Sequence, residues 1–228
     1  MMENRSSLDE VLEEIHAAEQ RAGRQPGSVR LMAVTKTVPA EQVNEVVRAG
    51  VTLLGENRVQ EFLSKKDDYL PGCEIHFIGT LQKNKVKYLI DTVDMIESVN
   101  SLSLAEEISR QAVKKGKVMP VLLEINIGEE ASKSGLNPAG LPEMLEKIQA
   151  FPGIRVEGLM SIPPICETKA EIRRYFKEMH KLFLDTRAKK LDNINMNVLS
   201  MGMSGDFAEA IEEGSTQVRI GTRLFGSR

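Results

Sequence analysis

Leu31-Met32-Ala33-Val34-Thr35-Lys36-Thr37-Val38-Pro39 is an apolar, strand-like run that ends in a lysine and is followed at once by a proline. Pro39 suits the first position of a helix, so Lys36 stands where a buried strand gives way to its loop. Half-burial among apolar side chains disfavours the ammonium form of a lysine and leaves an amine that attacks aldehydes. By itself the stretch favours the plainer alternative, a strand-end lysine that reaches into water.

The same unit recurs along the chain. Apolar runs predict strands over 29–35, 51–54, 74–78, 93–99, 118–127, 155–160, 197–201 and 216–220. Between them lie helix signals: Pro39 to Gly50, Val59 to Tyr69, Leu81 to Ile90, Ser101 to Lys115, Leu141 to Ala150, Thr168 to Lys190 and Asp206 to Glu213. Gly55-Glu56-Asn57 reads as the break that ends the second strand. Ser7-Leu8-Asp9-Glu10 and Thr168-Lys169-Ala170-Glu171 have capping-box spacing, and the first of these opens a helix that runs to Gly23, ahead of the first strand. Strictly alternating strands and helices demand parallel pairing with right-handed crossovers, and eight such units close into a single (β/α)8 TIM-type barrel. The extra N-terminal helix is expected to cover the bottom of the barrel. An open doubly wound sheet is the rival architecture. The 228 residues are expected to form one domain, 1–228.

Composition excludes several function classes. Hydrophobic residues make 41% and charged residues 28% of the chain, ordinary globular usage that argues against disorder. A formal net charge of -3, with Lys and Arg interleaved among acids, leaves no footprint for nucleic acid. Cys73 and Cys166 have no Cys or His at metal-ligand spacing, so no metal site is expected. Met1-Met2-Glu3-Asn4-Arg5 lacks the apolar core of a signal peptide, and no apolar run approaches the ~20 residues that span a bilayer. A cytoplasmic protein with reduced thiols is expected.

In a parallel barrel the ligand site lies at the carboxyl ends of the strands, and polar or glycine-rich residues gather there. Lys36, Asn57, Thr80, Asn126, Ser161, Ser200 to Ser204 and Arg219 to Thr222 all follow strand ends. Ser200-Met201-Gly202-Met203-Ser204 and Gly221-Thr222 place small residues and hydroxyls where the last two strands turn into helices, and helix amino termini attract anions. Two ordinary turns remain the alternative. A phosphate at one side of the mouth and an amine on the adjacent strand would suit a ligand with an aldehyde and a phosphate, as pyridoxal 5'-phosphate has. Of the histidines, His16 and His180 lie on helices; His76 sits inside the third strand, where a core or lumen position is favoured over a catalytic one. Met201 and Met203 read as packing, or as residues against a flat ring. The polar stretch 128–137 reads as a mobile loop.

Seven ordered segments carry a resemblance: Ala33-Val34-Thr35-Lys36, Gly55-Glu56-Asn57-Arg58-Val59-Gln60-Glu61, His76-Phe77-Ile78-Gly79-Thr80-Leu81-Gln82-Lys83-Asn84-Lys85, Ser132-Lys133-Ser134-Gly135, Gly158-Leu159-Met160, Leu199-Ser200-Met201-Gly202-Met203-Ser204 and Val218-Arg219-Ile220-Gly221-Thr222. With these the sequence resembles the pyridoxal phosphate homeostasis proteins, the alanine-racemase-like amino-terminal domain family. The resemblance implies that Lys36 forms a Schiff base with pyridoxal 5'-phosphate. It implies further that Ser200, Ser204, Gly221 and Thr222 surround the phosphate, that Arg219 faces the pyridine nitrogen, and that Asn57 lies beside the ring. A cation at that nitrogen disfavours its protonation and weakens the ring as an electron sink. Arg58 departs from the aromatic residue that family members often carry. Lys133 is a second amine in the polar loop, for which a solvated position is the plainer reading.

Two functions compete. One is a carrier that holds and delivers the cofactor, keeps free aldehyde low, influences amino-acid and keto-acid balance and touches apo-enzymes transiently. The other is an amino-acid racemase. Racemases with this barrel add a C-terminal β-domain and a tyrosine base from a second subunit, whereas this sequence stops at Arg228. Its tyrosines, Tyr69, Tyr88 and Tyr175, all fall on expected helices. Racemization by two bases needs groups on both faces of the ring, so the carrier is preferred, as a monomer with little or no racemase activity. A lysine-dependent aldolase is a third reading of the same fold.

Overall fold

The Leu31 stretch is the first strand of a closed, eight-stranded parallel barrel in a computed structural model that describes residues 2–130 and 133–226. Side chains are described from Ser6 onward; Met1, Ser132 of the Ser132–Gly135 segment, and Arg228 lie outside the described residues. β1 (Arg30–Val34), β2 (Leu53–Glu56), β3 (Glu74–Phe77), β4 (Met95–Val99), β5 (Met119–Ile125), β6 (Ile154–Ser161), β7 (Ile194–Met203) and β8 (Gln217–Ile220) follow one another around the barrel in chain order. β8 closes on β1, with Met32 opposite Arg219 and Ala33 opposite Ile220.

Strand residues alternate between the lumen and the outer helices. Met32, Val34, Leu53 and Ile78 form one small inner cluster, and Met95, Leu122 and Met160 another. The outward residues meet α2 (Ala40–Arg48), α3 (Val59–Lys65), α4 (Leu102–Lys114), α5 (Leu141–Ile148), α6 (Lys169–Ala188), α7 (Phe207–Glu212) and α8 (Thr222–Phe225). α1 (Met2–Arg21) precedes them. Local chemistry sets several of these ends. Ser101 Oγ accepts the Leu104 N–H, and Thr168 with Glu171 completes the reciprocal capping box read from the sequence.

Four expectations need correction. α1 begins at Met2, upstream of Ser7, so Ser7-Glu10 is helix interior; residues 2–6 contain no proline or glycine to delay the helix. α1 also lies on the flank and does not cap the barrel bottom. Leu8, Val11, Ile15 and Ala18 pack with Val43 and Val46 of α2, Phe207 and Ile211 of α7, and Leu224 of α8. They complete the helix layer where α8 supplies only 4 residues. β2 runs on through Gly55, because a Cβ there would sit 2.5 Å from Met32 Sδ in the lumen and glycine leaves that space open. The crossover from β3 to β4 is a 3-10 segment, Lys83–Tyr88, and not an α-helix over 81–90; its polar residues leave Val86 as the one buried side chain within it.

Gly158 marks the tightest strand contact. A Cβ there would lie 1.8 Å from the Val198 carbonyl oxygen of β7. Gly158→Ala is therefore expected to lower stability by about 3 kcal/mol through overpacking, read as the urea midpoint. Thr168→Ala, which removes only a cap, is expected to cost about 1 kcal/mol.

Candidate functional site

The carboxyl ends of β1, β2 and β8 enclose a cavity of about 460 Å³. Lys36 and Thr37 form one wall and Asn57 borders it. Ser204, Gly205, Gly221 and Thr222 form the rim across from them, Arg219 reaches it from the lumen, and Val34, Ile78, Ile162 and Met203 supply apolar surface. Polar groups converging on a partly apolar pocket are what a small-molecule site requires.

Lys36 is held by its turn. β1 ends at Val34, Val38 N–H returns to the Thr35 carbonyl at 3.1 Å, and Thr37 takes φ 60°, a conformation uncommon for a β-branched residue. That strained turn is fastened from outside. Glu61 accepts the Thr37 N–H at 2.5 Å, and Lys65 Nζ bridges Glu61 (2.8 Å) to the Thr35 carbonyl (2.8 Å). Beneath them buried Glu56 accepts from Thr35 Oγ1 at 2.6 Å and from the Tyr69 hydroxyl. Lys36 itself is exposed at the cavity mouth, not half-buried; the turn swings it two residues past the strand end.

Arg219 is the opposite case, 4% exposed in the lumen. Its guanidinium donates to Ser200 Oγ and to the Ser161 carbonyl, each at 2.8 Å. Burial pulls its pKa down, and Glu97 first, then Asp206 and Glu124, push it back up. Ser200 donates in turn to Glu97 at 2.7 Å. His76 Nδ1 (2.6 Å) and Gln217 Nε2 (2.7 Å) also meet Glu97. Burial opposes ionisation of Glu97, but the His76 hydrogen bond and charge, Arg219 and Ser200 together hold its pKa below the usual value. His76 thus has the lumen position expected of it.

At the rim, Gly221 N–H donates to Ser204 Oγ at 3.3 Å, joining the loops after β7 and β8. The first N–H groups of any helix lack intrahelical acceptors, and α8 opens here at Thr222. Asp206 accepts the Met203 N–H at 2.6 Å, and burial pushes its carboxyl up. Across the cavity, Asn57 Oδ1 is buried without a partner. Gly79 sets the position of Asn57, since a Cβ there would lie 2.1 Å from the Asn57 carbonyl oxygen.

Of the seven residues expected at the site, Lys36, Asn57, Ser204, Arg219, Gly221 and Thr222 converge on this cavity. Ser200 does not border it. It is fully buried behind Arg219, because the long β7 carries it into the lumen four residues before the rim. Lys133 is tied into its loop, donating to the Pro163 carbonyl at 3.0 Å and pairing with Glu130 at 2.7 Å. Glu97 and Gln217 escaped the sequence reading, whereas Ser161 was among the residues expected at strand ends. A lone acid within Met95-Ile96-Glu97-Ser98-Val99 and polar residues at alternate positions 217 and 219 were the available signals.

The chain is similar in sequence and fold to known proteins. The family model of the alanine racemase N-terminal domain matches residues 6–228. A pyridoxal phosphate homeostasis protein of Aquifex aeolicus is 45% identical, covering 97% of this chain and 96% of its own. One of Pseudomonas aeruginosa is 40% identical, with coverage of 97% and 94%. Among solved structures, PipY of Synechococcus elongatus with PLP bound has a TM-score of 0.82 at 33% identity, covering 93% of this chain and all of that one. The alanine racemase of Corynebacterium glutamicum shares the fold alone, with a TM-score of 0.71 at 18% identity over 97% of this chain and 62% of that one. The chain belongs to the pyridoxal phosphate homeostasis protein family, built on the alanine racemase N-terminal domain.

The turn that carries Lys36 makes a pH prediction. Burial alone would raise the Glu61 pKa, but the Lys65 and Thr37 hydrogen bonds lower it below 4.5. A carboxylate with a depressed folded pKa stabilises fully above its unfolded pKa and loses that contribution as pH falls through the folded value. Protection of the Thr37 amide against hydrogen exchange is therefore expected to be flat above about pH 5 and to decline below ~4.5. Glu61→Gln should abolish that dependence and cost about 1 kcal/mol.

Proposed function

We propose that residues 1–228 form one barrel that binds pyridoxal 5'-phosphate on Lys36 and serves to hold and deliver it. The supporting observation is the convergence, in one cavity, of an amine wall, a hydroxyl and glycine rim, and a buried cation. The residues fit the cofactor. The unpartnered Asn57 Oδ1 accepts a hydroxyl or N–H from a bound ring, and the cavity exceeds a single side chain in volume while keeping apolar walls for an aromatic face.

When bound, the cofactor supplies an aldehyde that the Lys36 amine captures as a Schiff base, together with a ring that can act as an electron sink. Lys36 provides the nucleophile from its exposed turn. Ser204 with Gly221 and Thr222 offers a hydroxyl and backbone N–H groups to an anion. Arg219 has donors only and carries a fixed charge. An aromatic nitrogen above it is kept unprotonated, and the electron sink is weakened.

The same wall composition favours a carrier over a racemase. Proton transfer on both faces of a ring needs two positioned groups. Among the described residues bordering the cavity, Lys36 is the one amine, Arg219 is a guanidinium with donors only, and no tyrosine is present. Tyr69 is engaged with Glu56 outside the barrel, and burial with that carboxylate raises its pKa far above the ordinary phenol. Cofactor release to apo-enzymes by transient contact, from a monomer in the cytoplasm with consequences for amino-acid and keto-acid balance, completes the reading. No helix among the described residues is long and apolar enough to cross a membrane.

Purified protein incubated with pyridoxal phosphate is expected to show a visible band that disappears on borohydride reduction, with the pyridoxyl mass on Lys36 by peptide mapping. Lys36→Ala should lose that band. Label confined to Lys133 or surface lysines would overturn the assignment, and rapid deuterium exchange at the α-carbon of alanine or serine would favour the racemase.

A further inference from the structure

Behind Arg219 lies a chain of buried polar groups that the binding reading does not use. Glu97 on β4 is fully buried in the lumen, and its two oxygens are divided between two sets of donors. Oε1 meets His76 Nδ1 and Gln217 Nε2, and Oε2 accepts the Ser200 hydroxyl. Ser200 has one hydrogen to give, and it gives it to Glu97. Its lone pairs are thereby turned toward Arg219 Nη1 and Gln217 Nε2 (3.2 Å). The order Arg219 to Ser200 to Glu97 is thus directional, and only an acceptor at its far end keeps it so.

Two other carboxylates lie near Arg219 and add to the field that supports its charge, but its guanidinium donates to neither. Asp206 is occupied by the Met203 N–H and Glu124 by the Ser134 hydroxyl at 2.6 Å. Burial raises the pKa of both, whereas that of Glu97 is lowered. A guanidinium buried to this degree is costly unless a paired charge and oriented acceptors offset its desolvation. Glu97 supplies the charge, and Ser200 and the Ser161 carbonyl supply the acceptors.

We propose that Glu97 is a positioning residue for cofactor binding: through Ser200 it fixes the orientation of the Arg219 guanidinium that forms the floor of the cavity. The proposal rests on the pyridoxal phosphate reading, in which Arg219 faces the ring nitrogen. In Glu97→Gln the amide must present its NH2 group to one set of donors. Either it faces Ser200, whose hydrogen then turns toward Arg219, or it faces His76 and Gln217. The first case reverses the directional chain; the second keeps the Ser200 bond but sets one NH2 group against another at Gln217, and both remove the charge that faces Arg219 while side-chain volume is kept.

The test is a double-mutant cycle of Glu97→Gln and Arg219→Met, with pyridoxal phosphate as the probe. Dissociation constants come from equilibrium dialysis, absorption bands from the bound cofactor, and melting midpoints from the ligand-free proteins. Glu97→Gln is expected to weaken binding about tenfold and to shift the visible band when Arg219 is present. In the Arg219→Met background the same change should weaken binding less than about twofold, since residues in one hydrogen-bonded network couple strongly. Without ligand, the double variant should melt above both single variants, because it removes both buried charges together. If Glu97→Gln does not fold, recovery of folding in the double variant reads the same coupling. Equal weakening in both backgrounds, or additive loss of melting midpoint, overturns the proposal. Borohydride mapping of the wild type separates the two levels: label on Lys36 with an additive cycle sinks the Glu97 role alone, and no label sinks both.

Discussion

The pairing of β8 with β1 is the constraint from which the rest of the molecule follows. The register places Arg219 beside Met32 and Ile220 beside Ala33. Both Arg219 and Met32 therefore point into the lumen, and the turns that follow the two strands become neighbours at one mouth. In an open sheet with the same strand order, Lys36 and Gly221 would stand at opposite edges. Closure brings an amine from the first unit of the chain to a glycine rim from the last, with no contribution needed from a second domain.

Closure also forces a choice on the lumen. Barrels of eight strands have interiors that side chains must fill, and this one fills its interior in two ways. Met32, Leu53, Leu122 and Met160 make ordinary apolar packing. Beside these clusters sit His76, Glu97, Ser200, Gln217 and Arg219, all buried and joined to one another. Burying charge in this way is a poor route to stability. It gives a cation of fixed direction under the cavity, on strands, where position is set by the whole sheet and not by a loop. Lys36 lies above it, on a turn restrained by Glu61 and Lys65 from outside the barrel. A rigid floor and an exposed anchor suit the proposed role of holding a reactive aldehyde and still releasing it.

The alternation of apolar runs and helices was enough to read the barrel, because burial on both faces leaves strands like Val121-Leu122-Leu123 without ambiguity. Element ends were read less well. Gly55 looks like a strand breaker in one dimension and is a lumen position that Met32 fills in three. Ser7 with Glu10 has the spacing of a cap and lies inside α1, since spacing does not say whether the preceding residues are also helical. For the site, residues that follow strand ends were legible as a set, and their convergence needed only the fold. Ser200 was misplaced because a hydroxyl near a helix start and a hydroxyl in a lumen look alike in sequence. Glu97 and Gln217 were missed for a related reason: their meaning comes from partners on β3, β7 and β8, more than a hundred residues away for Ser200 and Gln217.

The most direct test of the account is a crystal structure of the protein grown with pyridoxal phosphate. The account predicts continuous density from Lys36 Nζ to the cofactor, the phosphate among Ser204, Gly221 and Thr222, the ring nitrogen over Arg219, and Asn57 Oδ1 within hydrogen-bond distance of the ligand. Cofactor ordered elsewhere, or bound in this cavity with its phosphate away from that rim and Lys36 unmodified, would contradict it.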